Sequence, residues 1–295
     1  MKISGRRAGV SVRKVTNAPV RASCALPEPR VAKSSDARPS ITLIGKSGTG
    51  KTHAIGSLFA AGYKGMILAV EDKIQSIIKY DPPTVYINDP VDGRPPTVKE
   101  KYERLMAFPE ALREGKLREY KGKPVDFIAT DGFLEVGAVI HKYNKLCKPV
   151  AKTTGEQNTF ALWEKVAEDA VEFFMACRDA AGMASVAYGY PPVGFIATCG
   201  EKMEVTKLKQ VRYTPLFPGR KAPALLPYMF ENVIRLSTRN NDGVYEFVAH
   251  TVGDEEFDAK CPAGLFDAEE INPDFGVMYG KLLEHYTGKE VRSED

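Results

Sequence analysis

The chain has 295 residues, with 41 Lys+Arg against 38 Asp+Glu for a formal net charge of +3, and is 43% hydrophobic and 27% charged. This ordinary globular usage excludes a wholly disordered chain, a collagen-like repeat and a coiled-coil rod. The length allows one large domain or two small ones, with a core that needs no covalent staples.

The near-neutral total hides an asymmetry. The first forty residues carry nine basic and two acidic groups, whereas the remaining 255 carry 32 basic and 36 acidic groups. Residues 1–38 also hold Pro19, Pro27 and Pro29 and show neither a helical nor a strand period, so they read as a flexible basic arm. Such an arm suits phosphate backbones, because each Lys or Arg near a phosphate releases a condensed counterion. An organelle transit peptide and a solvated tail without a partner stay open as readings of the same composition.

Residues 41–44 form a short apolar β-branched run that leads into Gly45, Lys46, Ser47, Gly48, Thr49, Gly50, Lys51 and Thr52, followed by a helix-compatible stretch from His53. This is G-x-x-x-x-G-K-T in the context of buried strand, glycine loop and helix. The glycines let backbone N–H groups turn toward an anion, and the helix N-terminus adds its dipole. The spacing assigns Lys51 to the β- and γ-phosphates and the Thr52 hydroxyl to Mg²⁺, so the expected ligands are ATP and Mg²⁺.

Residues 65–70 read as a second buried strand ending in Glu71 and Asp72, and residues 84–87 as a third. A charged amphipathic helix over 98–113 comes next, then an apolar strand over 125–131 that ends in Asp131, the expected carboxylate for Mg²⁺ across from Thr52. Between 159 and 181, Phe160, Trp163, Val166, Ala170, Phe174 and Cys177 recur at three- and four-residue steps, which predicts a helix burying that face, Trp163 included. Residues 193–198 read as a further strand ending in Thr198. Strands alternating with helices predict an α/β fold with a mostly parallel sheet covered on both faces, and ligand at the carboxyl ends of the strands.

Beyond Gly200 the sequence predicts a long polar loop to residue 225, with Lys202, Lys207, Lys209, Arg212, Arg220 and Lys221 against Glu201 and Glu204. Tyr213 and Phe217 are interleaved, and basic groups with aromatics are the usual means of binding single strands. A shorter basic loop holding Lys142, Lys145, Lys148 and Lys152 is expected before residue 159. A hairpin over 233–250 turns at Asn240, Asn241, Asp242 and Gly243. A terminal helix is expected over 275–286.

Residues 39–264 resemble the RecA-like P-loop ATPase core, most closely the short phage-type single-strand annealing and recombination ATPases. The resemblance rests on the phosphate loop, the acid pair Glu71-Asp72 directly after the second strand, the stretch from Phe195 through the glycine-led segment at Gly219 to Leu236, and the hairpin leading into Lys260 and Cys261. It implies that Glu71 or Asp72 activates water and that Thr198, where the family usually has glutamine, senses the γ-phosphate. It also implies that Lys260 reaches the triphosphate of a neighbouring subunit. The function so implied is an oligomeric ring or filament, an ATPase that binds single-stranded DNA and promotes annealing or homologous recombination, alongside replication or recombination proteins. A DNA motor (helicase, helicase loader or packaging ATPase) and a nucleotide-gated assembly protein are the alternatives. Residues 1–38 then form an arm and 265–295 a C-terminal extension with a short helix.

The cysteines (Cys24, Cys147, Cys177, Cys199, Cys261) lack C-x-x-C spacing and do not cluster with histidines, which predicts free thiols in a reducing compartment. No run approaches the roughly 18 apolar residues of a membrane span. The expectation is a cytoplasmic protein without a membrane partner, in the host cytoplasm if phage-encoded.

Overall fold

The computed structural model describes residues 33, 36–71, 74–147, 159–182, 189–206, 209–217 and 221–288. Most of the expected basic arm, together with Asp72, Lys148, Lys152, Lys207 and Arg220, lies outside the described residues.

The apolar runs singled out above become strands of one mixed sheet. β1 (Ser40–Gly45) is buried along its whole length and lies between β7 (Gly194–Val205) and β9 (Asn232–Asn241), both parallel to it. Outward from β7 follow β6 (Phe127–Asp131), β2 (Gly65–Ala69) and β3 (Thr84–Tyr86), again parallel. On the other side β10 (Val244–His250) and β11 (Glu269–Ile271) add antiparallel strands, giving the order β11-β10-β9-β1-β7-β6-β2-β3. β4 (Glu119–Tyr120) and β5 (Lys123–Pro124) form a separate small ribbon. Central parallel strands must be covered on both faces, which is why β1, β2 and β6 read as continuous apolar runs rather than alternating ones.

Helices supply that cover. α1 (Lys51–Ala60) and α6 (Phe275–Thr287) pack on one face, through Ile55 and Leu58 and through Met278, Tyr279 and Leu282. The other face carries α2 (Val98–Arg113), α3 (Phe133–Cys147), α4 (Thr159–Ala181) and α5 (Lys221–Met229). α2 starts at a capping box in which the Thr97 hydroxyl accepts from the Glu100 N–H at 3.2 Å and the Glu100 carboxylate accepts from the Thr97 N–H at 2.7 Å. α6 starts at Asp274, whose carboxylate accepts from the N–H groups of Gly276 and Val277. Among the described residues no helix is long and apolar enough to cross a membrane.

Four expectations change. The long polar loop after Thr198 is largely a β-hairpin: β7 continues to Val205 and pairs antiparallel with β8 (Val211–Leu216). Its turn is closed by the Thr206 N–H on the Gln210 carbonyl at 2.8 Å. The charged residues of this stretch obscured a strand period carried by Met203, Val205, Val211 and Tyr213. Lys142 and Lys145 lie on α3 rather than in a loop, because Phe133, Val136, Gly137 and Ile140 give that segment a buried helical stripe. On α4 the buried face runs through Leu162, Val166, Ala170, Phe173 and Phe174, so Phe160 is 72% and Trp163 39% exposed, and Trp163 stacks on His141 instead of entering the core. Finally, residues 265–288 are no appendage: β11 extends the main sheet, and α6 fills one face of the core.

Candidate functional site

Gly45 ends β1 and the following turn delivers the chain into α1. A Cβ at Gly45 would lie 2.4 Å from the Leu236 carbonyl oxygen and 2.5 Å from Thr49 Oγ1, so only glycine fits between β9 and the loop. Gly48 and Gly50 hold φ of 83° and 89°, in the left-handed region that side chains disfavour. Lys46, Ser47 and Gly48 are exposed, whereas Thr49 is buried with its hydroxyl donating to the Lys46 carbonyl at 2.9 Å. No side chain caps the N-terminus of α1, so its first N–H groups are free for an anion. His53 sits exposed on the first turn.

Lys51 curls back over this loop and its ammonium donates to the carbonyls of Gly45 and Lys46, each at 2.7 Å. Burial lowers its pKa, an effect opposed by the nearby Cys199, Asp131, Glu201 and Glu135. A partly desolvated ammonium gains strongly from an approaching phosphate.

At the next residue, the Thr52 hydroxyl meets the Asp131 carboxylate at 3.2 and 3.5 Å. The Thr198 hydroxyl donates to Asp131 Oδ1 at 2.7 Å and accepts from the Gly132 N–H at 2.9 Å. Residues that sequence reasoning drew from three elements therefore converge: α1, β6 and β7 meet at one carboxylate. The glycine cradle and Lys51 fit a triphosphate, and a hydroxyl beside a carboxylate is the hard oxygen donor set that suits Mg²⁺.

Glu71 is half-buried two residues beyond Ala69, which is in register with Asp131, so it stands at the same carboxyl edge of the sheet. Lys260 is exposed, and its backbone pairs with Val233, level with Thr42 and away from the phosphate-loop end of β1. It does not join this chain's own loop.

The basic segment is more structured than expected. Phe217 is 5% exposed and packs edge-on against Phe133, so it cannot stack on a base, contrary to expectation. Tyr213 presents its ring to the guanidinium of Arg235 at 4.3 Å and to the Lys46 ammonium at 5.2 Å, which ties it to the phosphate loop. Lys202 pairs with Glu204 and Arg212 with Asp258, while Lys209 is exposed at the turn with φ 62°. Lys145 is exposed on α3, and Lys221 opens α5.

Sequence reasoning missed Arg235 and, as a site residue, Glu201. Arg235 on β9 binds Glu201 on β7 with two contacts, 2.6 and 3.2 Å, and its guanidinium lies between the rings of Tyr213 and Phe257. The available signal was a charge directly following a buried apolar run in each strand, Glu201 in β7 and Arg235 in β9. Glu135, on the first turn of α3, is a further carboxylate near Lys51.

Residues 37–262 match the family model described as AAA domain. No curated protein matches the chain. Among solved structures, the flagellar accessory protein FlaH from Methanocaldococcus jannaschii aligns at 12% identity over 80% of this chain and 85% of its own, with a TM-score of 0.38. A KaiC-like protein from Pyrococcus horikoshii aligns at 13% identity over 77% of this chain and 89% of its own, with a TM-score of 0.36.

Proposed function

The chain belongs to the AAA domain family and carries a phosphate loop on a mostly parallel sheet, and from that premise we propose that it is an oligomeric RecA-like ATPase that binds single-stranded DNA and promotes annealing or recombination. One observation carries the link between nucleotide and DNA. Thr198, bonded to Asp131 at the phosphate site, lies on the same strand that runs on through Glu201 into the basic hairpin. A change of hydrogen bonding at Asp131 therefore has a rigid element through which to reach the hairpin.

In this reading the loop N–H groups and Lys51 hold the β- and γ-phosphates of ATP, and Thr52 and Asp131 hold Mg²⁺, which supplies charge neutralisation on the phosphate oxygens. Glu71 accepts a proton from the attacking water, with Asp72 as the alternative acceptor. The water oxygen bonds to the γ-phosphorus, the bond to the β–γ bridging oxygen breaks, and ADP and phosphate result. Lys260 of an adjacent subunit offers its charge to the same phosphates.

On the DNA side, Lys209 at the hairpin turn, Arg212 on β8 and Lys202 on β7 contact phosphates, joined by Lys207 from the sequence. Lys145 on α3 is a further candidate, and by sequence so are Lys148, Arg220 and Lys221. The test is single-strand affinity as a function of salt for Lys207, Lys209 and Arg212 changed together to Ala. Each lost phosphate contact lowers the magnitude of the log–log salt slope by about 0.7, so the triple variant should lose about two units. An unchanged affinity and slope would remove the hairpin from the DNA interface.

A further inference from the structure

On the edge of the sheet opposite the phosphate loop, a cavity of about 330 Å³ opens at the amino end of β2, within the roughly 300–1,000 Å³ of ligand pockets. It touches Gly65, the first residue of β2, whereas the last, Ala69, is in register with Asp131. At a rise of about 3.3 Å per residue the two sites stand about 13 Å apart along that strand. The nucleotide site therefore does not account for this one.

Its floor belongs to the core. Phe59 of α1 packs against Phe127 with ring centroids 5.2 Å apart, and Tyr63 meets Tyr279 edge-on at 5.0 Å. Its rim does not. Tyr80 closes a short 3₁₀ helix, Gln75–Tyr80, and Tyr120 is 43% exposed on the β4–β5 ribbon, which stands apart from the main sheet. That ribbon turns at Lys121 and Gly122, with φ of 51° and 73°, the left-handed pair of a two-residue hairpin. The turn sets Tyr120 directly opposite Lys123, both on one face, with Glu119 on the other. Core packing explains Phe59 and Tyr63. It does not explain an exposed tyrosine paired with a lysine, both lining the cavity.

The charge around these rings is mostly positive. Lys64 and Lys123 line the cavity, the Lys79 ammonium lies 4.9 Å over the Tyr80 ring, and the Lys121 ammonium 5.1 Å over the Tyr120 ring. Among the described lining residues Asp81 is the one carboxylate, while the Asp126 carboxylate accepts from the Lys64 N–H at 2.8 Å. The lysines come from three separate segments along the rim instead of converging on one helix N-terminus, as a cradle for a single phosphate group would. Accessible rings with lysines spread between them fit a ligand that alternates flat bases with phosphates, a single-stranded nucleic acid.

Resting on the single-strand reading above, we propose that this cavity is a second single-strand site, separate from the β7–β8 hairpin, in which a base stacks on Tyr120 and flanking phosphates meet Lys64, Lys121 and Lys123. Annealing brings two strands together, and two sites on opposite edges of the sheet give each strand its own. The test is the fluorescence anisotropy of a labelled oligothymidylate bound to the full chain, as a function of salt. With Lys207, Lys209 and Arg212 changed together to Ala, binding should persist through the second site. In that background Tyr120→Ala should weaken it about tenfold, the scale of one lost base–aromatic contact, and Tyr120→Phe should retain it. Lys121→Ala with Lys123→Ala should lower the magnitude of the salt slope by about 1.4, two phosphate contacts. In the otherwise wild-type chain, Tyr120→Ala should slow the annealing of complementary strands while the hairpin still binds one. Residual binding that Tyr120→Ala leaves unchanged, no residual binding in the hairpin variant, or annealing at the wild-type rate in Tyr120→Ala would overturn the proposal and leave the hairpin reading standing. Absence of single-strand binding by the wild-type chain would instead overturn the reading beneath it.

Discussion

Asp131 is held from two sides, by Thr52 and by Thr198, and Thr198 also satisfies the Gly132 N–H. Thr198→Val keeps the shape but leaves a part-buried N–H without its partner, which costs about 1–3 kcal/mol. Urea unfolding should show that loss together with slower ATP hydrolysis, and Thr198→Ser should recover both. If Thr198→Val is silent in both assays, Thr198 does not organise Asp131. The Arg235–Glu201 pair makes a second residue-scale prediction. Arg235→Ala strands a buried carboxylate and should cost about 3–5 kcal/mol, whereas Arg235→Met with Glu201→Leu should cost much less. A double variant as unstable as the single one would contradict this. The phosphate loop was legible in sequence because its residues are contiguous. The Arg235–Glu201 pair was not, because its partners lie 34 residues apart on strands whose adjacency depends on the sheet order.

Among the elements, β1, β2, β6, α2 and α6 could be read directly, since each is an unbroken apolar run or carries its own cap. The β7–β8 hairpin and α3 could not. On α3 exposed lysines conceal the buried stripe, and in the hairpin the apolar period through Met203 and Val205 is itself exposed and interleaved with charges. α6 shows how closely elements are fitted: a Cβ at Gly276 would stand 2.4 Å from the Ala61 Cβ, so helix α6 meets the end of α1 without room for a side chain. Gly276→Leu should therefore destabilise the fold by about 1–3 kcal/mol through overpacking, measured by chemical denaturation. An unchanged midpoint would mean that α6 is not seated against α1 in solution.

At the scale of the whole molecule, the sequence conveyed the class, a mostly parallel sheet covered by helices with ligand at its carboxyl edge. It did not convey the order of the strands, since β1 takes β7 and β9 as neighbours, both remote along the chain. That order brings His250 of β10 over Phe257, with Ser237 at 2.8 Å and Glu269 at 3.3 Å. Burial, reinforced by Arg235, lowers the His250 pKa below its ordinary 6.5, with Glu269 opposing. The folded state then binds fewer protons than the unfolded state in this range, so stability rises with pH. It should be fully present above pH 6.5 and be lost as pH falls from there through the lowered folded-state value. His250→Gln should flatten that part of a plot of unfolding midpoint against pH; an unchanged slope would exclude His250 as its source.

The proposed function is tested most directly by steady-state ATP hydrolysis by the purified protein, with and without single-stranded DNA, beside Lys51→Ala. Single-stranded DNA should stimulate hydrolysis, and the rate should fall by about 100-fold or more in the variant, the scale of losing one charge-stabilising group from a phosphoryl-transfer site. Hydrolysis that persists in Lys51→Ala, or that single-stranded DNA leaves unchanged in wild type, would contradict it.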